Sequence, residues 1–222
     1  MKTLKLSLPE KTLISYLTKQ LNSFFPDGDV IKTSDISNFV SISLERMAVC
    51  FNAIPLPYYN KDGNPYFNHL HGDHYSMFLY LMSNTAYKEN KENIASKLFF
   101  LNKMLFGIDA FYGITLPEHF LFVHPIGTIL GRAKYDDYLV VYQGVTIGAT
   151  TEGVYPTFSK STILYSNSSI IGDCKMGNNC VLGAKASLVN TNISDNSIVV
   201  GSYPTHKVLT NSNNLITNYF NI

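Results

Sequence analysis

Tryptophan is missing from these 222 residues, and arginine occurs only as Arg46 and Arg132. Formal net charge is +1, and no run of like charge exists. Nucleic-acid binding needs clustered basic residues to meet phosphates, so that class of partner is excluded. No stretch approaches 18 uninterrupted apolar residues, so no membrane span is expected. The first residues carry a lysine-flanked apolar patch, but Pro9 and Glu10 interrupt it and it does not read as a signal peptide. Cysteine occurs three times. An odd count without a secretion signal points to reduced thiols and a cytoplasmic location.

What the chain does have is a count in sixes. Phe158, Leu164, Ile170, Met176, Leu182 and Leu188 follow one another at six-residue intervals. Four residues after five of them comes a small side chain: Thr162, Ser168, Cys174, Cys180, Ala186. An earlier, looser run is Ile129, Tyr135, Val141 and Ile147, with Ala133 and Val145 as companions. A period of six fits neither a helix nor an ordinary strand. It fits a triangular β-helix with one hexapeptide per side, the bulky residue pointing inward and the small one at the crowded corner. Cys174 and Cys180 therefore read as packing residues. Ile147 to Phe158 spans eleven residues and breaks the count, so Gly148–Pro156 reads as a loop leaving the prism.

The first half reads as helical. Ser7 and Pro9 form a helix-start signal, followed by a stripe of Leu13, Tyr16, Leu17, Leu21 and Phe24. A second helix is predicted from Asp35 to Asn52, and two more near Asp73–Tyr87 and Lys91–Phe106. Ile54 to Gly72, rich in Pro, Asn, Gly and Tyr, reads as a long loop. The predicted fold class is α+β: a helical N-terminal domain over residues 1–112, a left-handed parallel β-helix of hexapeptide repeats over 113–204, and a loose C-terminal tail over 205–222.

Histidine supplies the candidates for chemistry. His69, His71 and His74 cluster with Asp73, but no further ligand lies at metal spacing, and a helix start with Asp73 at its positive end suits them better. His119 and His124 form an H-x4-H pair without a third ligand, which weighs against a zinc-dependent carbonic anhydrase on the same prism. No metal is expected. By residue type alone His124 is either an acid–base group or a turn residue beneath the helical domain.

Specific segments resemble bacterial serine acetyltransferases and their sugar-modifying relatives. His124-Pro125-Ile126-Gly127 is similar to that family's turn around its catalytic histidine. Asp109 precedes His124 by fifteen residues, the family's aspartate–histidine separation. Gln143–Gly148, Gly183–Ser187 and Val200–Pro204 are similar to its later turns. The resemblance implies an acetyl-CoA-dependent acyltransferase with His124 as general base. Asp109 or Glu118, the latter one hexad earlier, would orient it. It implies acceptor binding by Asp73, His74 and Tyr155. The co-substrate would contact Gln143, Ala149, Ser166, Ala184, Lys185 and Lys207. A homotrimer, or a dimer of trimers, is expected, with Tyr138, Tyr142 and Tyr165 as interface anchors.

Two departures bear on the acceptor. Val123 stands where the family has an aspartate, and Val154-Tyr155-Pro156 stands for its Arg-His-Pro. Losing those charges disfavours a zwitterionic amino acid and favours a neutral hydroxyl, such as that of a capsule, lipopolysaccharide or nucleotide-sugar carbohydrate. The alternatives are N-acylation of an amino sugar, O-acetylation of serine, and a non-catalytic scaffold.

Overall fold

A computed structural model describes residues 2–222, as a helical layer followed by a parallel solenoid. Helix α1 spans Glu10–Phe24 and buries Leu13, Leu17 and Leu21, which share one face at intervals of four. Ser7 does not cap it: its hydroxyl accepts from the His69 amide at 3.0 Å and meets His69 Nδ1 at 2.8 Å. Helix α2 spans Thr33–Asn52, opened by Asp35 accepting from the Lys32 amide at 2.8 Å. Helix α3, Gly72–Lys88, is buried from Asp73 to Ala86 because neighbours enclose it on all sides. Helix α4, Glu92–Phe106, ends at Gly107, whose φ of 63° is the left-handed stop a glycine supplies. None of these helices is long and apolar enough to cross a membrane.

The segment predicted as a long loop carries structure of its own. Asn60–Lys61 and Asn64–Phe67 form a hairpin, and Lys5–Leu6 adds to it in parallel. Asp62 and Gly63 both take positive φ, as a two-residue hairpin turn requires.

The solenoid winds through five coils with three faces. Face one stacks Phe120–Val123, Leu139–Tyr142, Thr162–Leu164, Cys180–Leu182 and Ser197–Val200. Lys207–Thr210 closes its edge in antiparallel. Face two stacks Asp109–Ala110, Ile129–Leu130, Thr146–Gly148, Ser169–Ile171 and Ser187–Val189. Face three stacks Lys134–Tyr135, Thr157–Phe158 and Lys175–Met176, with Ile193 bridging to Met176. The register pairs Phe158 with Met176, Leu164 with Leu182 and Ile170 with Leu188, three hexads apart each time. All six bulky hexad residues and all five small companions are buried.

The looser run slips by one. Leu130, not Ile129, points inward and pairs with Ile147, while Ile129 is exposed. The cause is the first corner: Phe122 to Leu130 takes eight residues, where Val141 to Ile147 takes six. Face two begins at Asp109, so the solenoid starts four residues before the predicted boundary, inside the segment assigned to the helices. Tyr135 pairs with Phe158 across 23 residues, against 18 for the next coil. The five extra residues form the Gly148–Pro156 excursion.

The tail is not loose. Residues 211–222 return along face one and bury Ile216 and Phe220. The Tyr219 hydroxyl meets that of Tyr142 at 2.7 Å, and Phe220 packs edge-on against Tyr138 at 5.5 Å. The Asn221 amide reaches the Ala53 carbonyl at 2.7 Å. Tyr138, Tyr142 and Tyr165 are thus partly covered by their own chain.

Candidate active site

Where strand Phe120–Val123 runs out, the chain must turn through more residues than at later corners. His124 takes φ 48°, an uncommon conformation that the surroundings hold in place. Its amide donates to Asp73 Oδ1 at 3.0 Å, and its Nδ1 lies 3.8 Å from the same oxygen. The Gly127 amide donates to the Gly107 carbonyl at 3.0 Å. A methyl group on Gly107 would sit 3.4 Å from the Gly127 nitrogen, in ordinary contact, so it is the φ of 63° and not crowding that calls for glycine where α4 meets this turn. The side chains differ in access: that of His124 is 75% exposed, that of Asp73 only 12%. Burial pushes the Asp73 carboxyl up, while the bond from the His124 amide and the charges of His124 and His71 pull it down. The result is an imidazole open to solvent, its backbone pinned by a carboxylate in the first turn of α3.

Neither expected partner touches the His124 imidazole. Asp109 sits nearby on face two, but its carboxylate accepts from Lys103 Nζ at 2.7 Å and is not within 4.0 Å of the imidazole nitrogens. Glu118 precedes the strand that His124 follows and is likewise not within 4.0 Å of the imidazole nitrogens. The carboxylate beside His124 is Asp73, which sequence reasoning had assigned to the acceptor. His74 cannot bind an acceptor, because it lies wholly inside the helical core. Its Nδ1 accepts from the Asn68 amide at 3.1 Å, and its ring stacks on His71 at 4.1 Å and packs against Tyr59 at 4.3 Å. Burial, and then the charge of His71, press its pKa to about 3. Tyr155 lies half-buried with its ring over Gly131, where an added methyl would meet it at 2.7 Å.

Four of the expected co-substrate residues share one prism edge with His124. The Gly144 amide donates to the Ile126 carbonyl, that of Asn167 to Gln143, and that of Lys185 to Ser166, each at 2.9 Å. Gln143, Ser166, Ala184 and Lys185 therefore stack coil on coil beyond the His124 turn. Gly144, Asn167 and Lys185 have positive φ like His124. Ala184 and Lys185 are exposed, and the buried Oε1 of Gln143 has no partner. Lys207 pairs with Val200 at the far end of the same edge. Ala149 stands apart, on the next edge at the root of the excursion.

Sequence reasoning missed the best-formed aspartate–histidine pair. Asp137 accepts from the His119 amide at 2.8 Å and meets His119 Nδ1 at 2.9 Å, with Tyr138 stacked on the ring at 4.9 Å. The signal was Asp136-Asp137-Tyr138, one coil after His119. This pair sits at the start of the first face-one strand, away from the His124 edge. His119 and His124 flank opposite ends of that strand, so within one chain they cannot ligate one ion with bonds of about 2 Å.

Comparisons with known proteins give this geometry a context. No family model matches the chain. A serine acetyltransferase of Synechococcus elongatus is 28% identical over 119 residues, covering 52% of this chain and 48% of that protein. One from Staphylococcus epidermidis is 25% identical over 136 residues, covering 60% and 59%. The chain resembles the serine acetyltransferases. It spans about half to three-fifths of the length of these curated relatives. Among solved structures, serine acetyltransferase from Brucella abortus superposes with a TM-score of 0.69 at 17% identity, covering 90% of this chain and 83% of that one. A serine acetyltransferase in complex with CoA gives 0.64 at 14% identity, covering 91% and 85%. The shared fold is helices followed by a parallel β-solenoid.

Proposed function

We propose that this protein is an acetyl-CoA-dependent O-acetyltransferase with His124 as general base. The observation that carries the reading is the His124 turn: an exposed imidazole, pinned by Asp73, at the head of the edge formed by Gln143, Ser166 and Ala184. In the reaction, His124 takes the proton of an acceptor hydroxyl as its oxygen attacks the thioester carbonyl. The amides of His124, Ile126 and Gly127 already donate to Asp73, to the His124 carbonyl and to the Gly107 carbonyl, so the oxyanion takes its donors from outside the turn. The carbon–sulfur bond then breaks, and the imidazolium returns its proton to the departing CoA thiolate. Asp73 holds the turn and offsets the imidazolium charge.

Acetyl-CoA lies along the edge, with Ala184 and Ser166 small enough to admit the pantetheine arm. Lys185 and Lys207 stand ready for its phosphates. A second copy of the chain completes the groove in a homotrimer. For the acceptor we favour a carbohydrate hydroxyl: Val123 is neutral, and the excursion carries Glu152 and no cation. The names of the relatives favour serine instead. Incubating the protein with acetyl-CoA and either serine or a panel of sugars, and following free thiol, separates the two. Thiol release with sugars and none with serine supports the carbohydrate reading; release with serine alone overturns it, and release with no acceptor overturns the whole proposal.

A further inference from the structure

One of the two arginines makes no ion pair within 4.0 Å among the described residues. Arg46, on α2, is half-buried in the wall of a cavity of about 430 Å³ between α2, α3 and residues 115–120. Its Nη1 donates to the Leu81 carbonyl at 3.4 Å and to Thr85 Oγ1 at 3.0 Å, both neutral acceptors. A guanidinium carries five N–H groups. Among the described residues the donors on Nε and Nη2 meet no acceptor. Lys88, the last residue of α3, opens onto the same cavity and makes no ion pair among the described residues. Glu45 and Glu118 also line the cavity, both exposed, and neither comes within 4.0 Å of either cation. Burial lowers the pKa of both cations, and the charge of Arg46 lowers that of Lys88 further.

Arg46 and Lys88 repel each other across this cavity, and Glu45 and Glu118 on its exposed rim stay too far from either to pair with it. An anion between them reverses the sign of that interaction, and the free guanidinium donors match the paired oxygens of a phosphate or carboxylate. Thr115 on the lining adds a hydroxyl. We propose that this cavity binds a small oxyanion, the phosphate or carboxylate group of a metabolite, at a site separate from the His124 edge. Phe120 lines the cavity, and His124 lies four extended residues further on, roughly 13 Å along the strand.

The test uses the full chain and inorganic phosphate. Titrating protein into phosphate while following the ³¹P linewidth reads binding directly, with chloride holding ionic strength constant. Succinate, scored by its shift of the thermal midpoint, is the carboxylate arm. The wild type is expected to bind one of the two, and whichever binds tighter names the ligand chemistry. Lys88→Met, at an exposed position that tolerates the change, is expected to weaken binding at least tenfold, and Arg46→Gln likewise. Saturating CoA should leave the phosphate signal in place. The proposal is overturned if neither anion binds, if chloride reproduces the effect, if Lys88→Met binds as the wild type does, or if CoA displaces the phosphate.

Discussion

His124 and Asp73 stand 51 positions apart in sequence, yet one hydrogen bond joins them. Replacing His124 with Ala is expected to lower kcat by a factor of roughly 10²–10⁴, the range for losing acid–base catalysis, while CoA still binds. Asp73→Asn keeps an oxygen for the His124 amide and removes only the charge. It should cost about tenfold in kcat, the equivalent of about 1.4 kcal/mol in the barrier. Asp109→Asn should cost less, because that carboxylate is engaged by Lys103. Steady-state rates of the two variants, side by side, decide which carboxylate serves the imidazole.

His74 makes a prediction of a different kind. Its pKa of about 3 in the fold lies far below the ordinary value near 6.5, so the unfolded chain takes up a proton that the folded chain refuses. Its contribution to stability is therefore complete above about pH 6.5 and is lost as pH falls toward 3, by up to about 1.4 kcal/mol per pH unit. Urea unfolding between pH 7 and pH 5 should show this slope, and His74→Phe should flatten it. Asp73, whose carboxyl burial pushes up, acts in the opposite sense as pH falls through its raised pKa.

At the scale of elements, the tight hexads were plain in sequence because each bulky residue meets an equivalent one in the next coil. Leu182 packs between Leu164 and Val199, and Leu182→Ala should cost about 2–5 kcal/mol in chemical denaturation. The corners were equally legible in hindsight: Asn167, Asn179, Asn190 and Asn196 all take positive φ, a conformation that asparagine tolerates better than most residues. The first coil was harder to read. Its corner at His124 carries extra residues to reach α3 and α4, so the six-residue phase slips and Ile129 looks like Leu130. That same distortion is what exposes the imidazole. The motif around His124 was visible in sequence, but the approach of Asp73 was not, since it depends on how α3 docks against the solenoid.

At the scale of the whole molecule, the C-terminal residues tie the two layers together. Composition alone reads them as polar and Asn-rich; only the face-one tyrosines show why Ile216, Tyr219 and Phe220 are spaced as they are. Deleting residues 211–222 should destabilise the protein on the order of 4 kcal/mol, from two buried side chains alone, and should expose Tyr138, Tyr142 and Tyr165. A thermal midpoint unchanged by the truncation would show that the tail does not hold the layers together. The tail covers part of face one, which leaves the other two faces and their edges for the proposed trimer.

The central claim is that the His124 turn is the place of acyl transfer. Its most direct measurement is acceptor-dependent thiol release from acetyl-CoA by wild type and His124→Ala, with CoA binding measured on both. Turnover reduced at least a hundredfold with CoA affinity retained is the predicted result. Near-wild-type turnover in His124→Ala would contradict it and would turn attention to the His119–Asp137 pair.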